Sequence, residues 1–222
     1  MLLLLIFVGC SSTKRFTSDN KLEFNESNTI RVLLNNTSSE LEISVNDVIF
    51  ISNDTKSLAK VSSGNKLRFS IGSEKLILTI GDKEFSSDKF FLIPPEETEI
   101  IKVDGKKFRG RIIISIVASE IKIVNQIGLE DYVKGVMTRE MPIGQGTENY
   151  NALKAFSICA RTYAYNKINE NKLFFDIYPD TRDQVYGGVE GETVYTNKIV
   201  DETSGQILFY DNQPATMFYH ST

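Results

Sequence analysis

The period of the hydrophobic pattern changes once along this chain, near residue 129, and that change limits the folds open to it. From Thr29 to about Lys107, short apolar runs alternate with turn signals. Ile30–Leu34 is followed by Asn35-Asn36, Leu41–Ile51 alternates loosely around Val45-Asn46-Asp47-Val48, and Ser63-Gly64-Asn65 precedes Leu67-Arg68-Phe69. Leu76–Ile80 runs into Gly81-Asp82, and Pro94-Pro95 marks a surface turn. The spacing predicts a series of short strands. Ile112–Val117 and Glu120–Ile127 read as two further, strongly apolar strands. Beyond them Leu129, Val133, Val136 and Met137 fall at i, i+4, i+7 and i+8, a helical stripe. Pro142 ends it, because it disfavours helical geometry at Met141. A second helix is expected from Thr147 to about Lys167. Ala152, Leu153, Ala155, Phe156, Ile158, Cys159, Ala160, Tyr163, Ala164 and Tyr165 cover almost its whole circumference, the pattern of a buried helix. An irregular stretch (173–191), a short helix ending near Gly205 and strands at 206–210 and 214–219 follow, the last two joined by Asp211-Asn212-Gln213. The expected class is α+β: a β-rich N-terminal part, then a domain with a buried central helix packed on β-strands.

Composition narrows function. The 222 residues are 41% hydrophobic and 24% charged, as in an ordinary globular protein. With 25 Lys+Arg against 29 Asp+Glu the net charge is −4, which argues against a nucleic-acid partner. One histidine and two cysteines make a zinc site of His and Cys alone a poor expectation, and no cofactor is implied. Trp is absent, so sugar stacking would fall to the 9 Tyr and 14 Phe. Leu2–Gly9 is an apolar run too short to span a bilayer but suited to the core of a secretion signal. Phe7-Val8-Gly9-Cys10 resembles a bacterial lipobox, with Cys10 as the lipidated mature N-terminus. Residues 1–28 then form a lipoprotein signal and polar tether, and the protein is expected outside the cytoplasm, lipid-anchored to the cell membrane. Cys159 remains as the mature chain's thiol. It cannot make an internal disulfide and reads as a small buried residue.

Three groups of charged residues merit weighing. On a wheel of about 100° per residue, Glu140 lies about 20° from Val133 and Leu129 and about 40° from Val136, inside the apolar stripe. A carboxylate desolvated there, at a helix C-terminus, favours its protonated form, as a general acid requires. Alternatively the last turn frays and exposes it, or Arg139 or Arg161 pairs with it. Glu130 and Asp131 point to other faces. Arg161 interrupts an apolar helix and must have a partner: a structural ion pair or loop carbonyls, or a loop or substrate held over a cleft. Lys107, Arg109 and Arg111 would share one strand face, either solvated or set to meet an acidic ligand.

Several motifs occur in order: Phe108-Arg109-Gly110-Arg111, Val124-Asn125-Gln126-Ile127-Gly128-Leu129-Glu130-Asp131-Tyr132-Val133-Lys134-Gly135-Val136, and Arg139-Glu140-Met141-Pro142. Asn151-Ala152-Leu153-Lys154-Ala155, Ala160-Arg161-Thr162-Tyr163-Ala164, Asp180-Thr181, Asp183-Gln184-Val185-Tyr186-Gly187-Gly188 and Glu202-Thr203-Ser204-Gly205 complete the set. From Phe108 to Thr222 the chain resembles the stage II sporulation protein D / LytB (SpoIID) domain family. The run of short strands gives a β-rich subdomain at 29–107, and the resemblance implies a SpoIID-like catalytic domain at 108–222. It also implies a lytic transglycosylase acting on peptidoglycan glycan strands that lack stem peptides and leaving anhydro-N-acetylmuramic acid ends. By the family pattern Glu140 is the catalytic acid, then the base. Arg161, Gln184, Tyr186, Thr203, His220 and Ser221 are the substrate-binding candidates by motif position. Some members bind zinc through a His and two Cys, but 175–184 contains neither residue type, so no metal is expected. The family pattern also continues beyond the final strand, so a truncated C-terminus is expected of this sequence. The alternative within the family is a non-catalytic cell-wall binder that modifies a partner autolysin or amidase.

Overall fold

The computed structural model describes residues 28–37, 40–96, 100–103, 105–144, 148–170 and 174–218. The alternating first part forms short strands: β1 (Thr29–Thr37), β2 (Glu40–Ser44), β3 (Ile49–Ser52), β4 (Ser57–Val61), β5 (Lys66–Ile71), β6 (Leu76–Ile80), β7 (Lys83–Ser87), β8 (Lys89–Ile93), β9 (Ile101–Val103) and β10 (Lys106–Phe108). Then come β11 (Arg111–Val117), β12 (Glu120–Gly128), α1 (Leu129–Glu140), α2 (Tyr150–Asn169), α3 (Val194–Glu202), β13 (Phe209–Tyr210) and β14 (Gln213–Pro214). The class is α+β, as the change of period required.

Six strands form one antiparallel sheet in the order β1-β12-β11-β8-β3-β4, and four form a second, β2-β5-β6-β7. In β2 exposed and buried residues alternate, so one face of the pleat carries Leu41 and Ile43 inward. The two sheets meet through their apolar faces, where Phe69 of β5 lies 6.0 Å from Phe90 of β8 between ring centroids.

The boundary expected between residues 107 and 108 cuts β10, which pairs with β9, and the larger sheet takes strands from both sides of it. Its outer strand β1 runs antiparallel to β12, from Thr29 opposite Gly128 to Thr37 opposite Ile121, with an irregularity between Leu33 and Asn35. Likewise β8 pairs with β11, Leu92 opposite Ile112. Ile30, Val32, Ile112, Ile121, Ile123 and Ile127 are all buried in one core. The apolar faces of β11 and β12 therefore need strands from the first half of the chain to cover their edges, and the two expected parts fold together.

Two further expectations change. Lys107, Arg109 and Arg111 do not share one strand face, because the chain turns at Arg109-Gly110 between β10 and β11. Arg109 instead pairs with Glu192 at 2.5 Å, while Arg111 donates to Gln126 and lies 4.6 Å over the Phe91 ring. The second helix is central, packing on α1, α3 and β1, but its circumference is not buried throughout. Leu153, Ser157, Ala160, Arg161, Thr162 and Ala164 are buried, Ala152 and Ala155 are exposed, and Phe156, Ile158, Cys159, Tyr163 and Tyr165 are half-buried. Small alanines carry little apolar area, so leaving two of them in water costs little. Half-burial of Cys159 pushes its thiol pKa up, which keeps it protonated.

Of the two strands expected after residue 205, the described residues 206–218 form a short hairpin, β13 with β14, closed by Asp211 and Asn212 at φ 49° and 60°. Two consecutive left-handed residues of this kind match the twist of the flanking strands. Among the described residues no helix is long and apolar enough to cross a membrane.

Candidate active site

Helix α1 begins directly at the end of β12. Its first amide donates to the Asn28 carbonyl (3.0 Å), and Glu130 and Asp131 lie in the first turn, where the helix dipole favours negative charge. It ends where Pro142 forces Met141 into extended geometry (φ −122°, ψ 135°). That stop leaves Glu140 as the last helical residue, half-buried rather than fully buried, because the turn above it is missing.

The partner of Glu140 is a main-chain group. The Val185 N–H donates to Glu140 Oε1 at 2.5 Å. Neither arginine considered from the sequence fills this role. Arg139 pairs with Glu190 at 2.9 Å, and Arg161 with Glu130. Among the described residues Glu140 forms no ion pair.

The segment carrying that amide, residues 174–193, is irregular but tied down along its length. Asp176 takes the Arg31 guanidinium in two hydrogen bonds (3.1 and 2.6 Å) and the Arg31 amide in a third, and Ile177 makes a parallel bridge to Val32 of β1. Asp183 accepts from the Tyr163 hydroxyl (2.6 Å) and the Tyr178 amide (2.8 Å) and pairs with Lys167 at 2.9 Å. Burial, with Asp183 adding to it, pushes the Tyr163 hydroxyl well above its ordinary pKa, so it stays a donor. On the outside, the hydrogen bond from Arg182 holds the Asp180 carboxyl at a pKa of about 2.

Next to Val185 in sequence, Tyr186 belongs to a buried aromatic stack. Tyr186 stacks on Tyr132 of α1 at 5.2 Å, and its hydroxyl donates to Asn125 Oδ1 of β12 at 2.8 Å. Burial pushes the Tyr186 hydroxyl pKa far up, so it too remains a donor. Asn125 spends its amide on the Arg109 and Arg111 carbonyls (2.8 and 3.2 Å). Glycines make the close approach possible. A Cβ on Gly135 would sit 2.6 Å from both the Gly188 carbonyl oxygen and a Tyr186 ring carbon. Gly188 itself has φ +64° and lies against the Lys107 carbonyl.

The remaining site candidates divide plainly. Arg161 is 1% exposed. Its guanidinium donates to both Glu130 oxygens (2.9 and 2.7 Å), to the Ser157, Gln206 and Val200 carbonyls and to Thr203 Oγ1. It ties α1, α2 and the end of α3 together, the structural partnership weighed from the sequence. Gln184 is buried and accepts from the Tyr132 hydroxyl at 3.1 Å. Thr203 is buried against Ser157 Oγ at 2.6 Å. Gln184, Tyr186 and Thr203 thus turn their polar atoms into the protein, where each is taken up by a hydrogen bond. Cys10, His220 and Ser221 lie outside the described residues. Among the described residues no cluster of His, Cys, Asp or Glu could hold a metal ion.

Sequence reasoning missed Tyr132, Asn125 and the Val185 amide. A tyrosine among the apolar positions of α1 was a legible signal for the first. A main-chain donor supplied by a loop has no signature in side-chain chemistry.

The arrangement is that of a protein with one carboxylate at a helix end, held by a loop from 45 residues further along the chain. Residues 117–210 match the family described as SpoIID, Stage II sporulation protein, and the chain carries a SpoIID domain of the SpoIID/LytB family. An uncharacterized protein of Brachyspira hyodysenteriae is 34% identical over 53% of this chain and 32% of its own length. The amidase enhancer of Bacillus subtilis is 32% identical over 83% of this chain and 24% of its own length. The chain therefore spans about a third and a quarter of these two relatives. No solved structure matches.

Proposed function

We propose that this chain cleaves peptidoglycan glycan strands lacking stem peptides as a lytic transglycosylase, with Glu140 as acid and then base. The carrying observation is the half-buried Glu140 carboxylate, which forms no ion pair among the described residues and is held by the Val185 amide. A carboxylate neutralised by a cation would be a poor proton donor. In the forward step Glu140 protonates the glycosidic oxygen leaving N-acetylmuramic acid as the C1–O bond breaks. It then takes the proton from that sugar's C6 hydroxyl as O6 closes onto C1. One carboxylate serves both steps, whereas hydrolases of the two-carboxylate type need a second to activate water. The protein acts outside the cytoplasm, held to the membrane by a lipid on Cys10, and Cys10→Ser releases it from the membrane fraction.

The test incubates wild type and Glu140→Gln with denuded strands and with intact peptidoglycan and reads the products by mass spectrometry. Anhydro-muramic ends from denuded strands, lost in Glu140→Gln, support the reading. Reducing ends mean a hydrolase. The second reading, a non-catalytic modifier of a partner autolysin or amidase, is favoured by the amidase enhancer, similar over 83% of the chain. Retained glycan binding without product, and a faster partner amidase in the protein's presence, would select it.

A further inference from the structure

Glu140 and its amide partner belong to one rigid unit. Val185 sits between two buried anchors, Gln184 and Tyr186. Gln184 is held by the Tyr132 hydroxyl (3.1 Å), and Tyr186 by its stack on the same Tyr132 ring (5.2 Å) and by Asn125. The Tyr186 amide donates to the Pro179 carbonyl (3.1 Å), and the Gly187 amide to the Gly135 carbonyl of α1 (3.3 Å). Tyr132 lies on α1, the helix that ends in Glu140. One helix therefore carries the carboxylate and also fixes the loop that donates to it.

The consequence is chemical. An amide N–H donates to an oxygen lone pair, so Oε1 is engaged as an acceptor by Val185. When the carboxyl is protonated, its proton belongs on Oε2. Resting on the acid–base reading of Glu140, we propose that Tyr132 and Gln184 are positioning residues. Through the Val185 amide they hold Oε1 and confine proton transfer to Oε2. In the first step the Oε2–H bond breaks, its proton goes to the glycosidic oxygen, and the C1–O electron pair stays with that oxygen. In the second, Oε2 takes the proton from O6 as the O6–C1 bond forms. The amide bond to Oε1 persists throughout and is stronger to the anion left after the first step. A donor misplaced by even an ångström forfeits much of such positioning.

The test compares wild type, Tyr132→Phe and Gln184→Met, each removing the strut without changing side-chain length, together with the double variant. On denuded strands each single variant is expected to lose about tenfold in kcat with KM unchanged, the mark of an interaction used in the transition state. The double variant is expected to lose no more than either single one, because both cut the same strut. In protein labelled with ¹⁵N-valine, the Val185 amide proton should move upfield in Tyr132→Phe, in Gln184→Met and in Glu140→Gln. Singles that keep wild-type kcat and leave that resonance in place overturn the proposal, while a dead Glu140→Gln would still uphold the acid reading. Equal losses in kcat and rises in KM, or additive losses in the double variant, also overturn it, since they describe general loosening. A wild type inactive on denuded strands removes the acid reading and the Oε2 route with it. The valine resonance then reports separately whether the strut holds the carboxylate.

Discussion

Replacing Glu130 with alanine should destabilise the protein at least as much as replacing Arg161 with methionine, although Glu130 is the more exposed partner. The guanidinium side chain is 1% exposed and the carboxylate 33%. Removing Arg161 leaves a carboxylate that water can reach, so the loss is the paired hydrogen bonds and the donors to Ser157, Val200 and Gln206. Those contacts are 3.1–3.4 Å long and individually weak, which places Arg161→Met at about 2–4 kcal/mol. Removing Glu130 strands a charged group that water cannot reach, and such losses run at about 3–5 kcal/mol. It also leaves the Gly205 amide without its 3.0 Å acceptor. At about 2–4 °C per kcal/mol for a chain of this size, Glu130→Ala should melt roughly 6–20 °C lower. The assay is urea and thermal unfolding followed by far-ultraviolet circular dichroism, run as a double-mutant cycle. Removing both charges should cost about 2–3 kcal/mol less than the sum of the singles, because the stranded charge is gone. Additive losses, or a Glu130→Ala cost below about 1 kcal/mol, would refute the reasoning by showing that water reaches the guanidinium.

Other outcomes follow from the site. Gly135→Ala should gain about 1 kcal/mol of helix propensity, yet its Cβ meets Tyr186 and the Gly188 carbonyl. A net loss of about 1–3 kcal/mol, with reduced activity, is expected by chemical denaturation. Tyr186→Phe should cost about 1–3 kcal/mol by stranding the buried Asn125 oxygen, with the ring stack preserved and measurable by near-ultraviolet circular dichroism. Asp180 gives the pH dependence. Its folded pKa of about 2 lies below the ordinary 3.8, so its contribution is present above about pH 4 and lost as pH falls through about 2. Both partners are substantially exposed, so the effect is small at neutral pH. Acid titrations of wild type and Asp180→Asn should coincide near pH 7 apart from that small offset and converge as pH approaches 2.

The separate behaviour of Glu130 and Glu140 shows how far periodicity carries. The wheel correctly sent Glu130 away from the stripe, but not to its partner, since Arg161 lies 31 residues later in sequence. For Glu140 the wheel marked a special carboxylate and overstated its burial. It treats a helix as endless, while Pro142 cuts this one off at Glu140 itself. The motif Asp183–Gly188 was legible as a site, but its side chains turned out to be framework. Its chemical contribution to Glu140 is the Val185 backbone, which residue identity does not encode.

Alternation, the helical stripe and Pro142 are local properties, so the sequence by itself determined the α+β class, most strand positions and the end of α1. The same residues singled out Glu140 as a candidate. Three things were decided by tertiary structure. One was the pairing of β1 with β12, which merges two expected parts into one sheet. Another was the burial of Gln184, Tyr186 and Thr203. The third was the choice of an amide rather than an arginine as the partner of Glu140. Each depends on which distant segments share a core, and a hydrogen bond across 45 residues is set by how the whole chain packs.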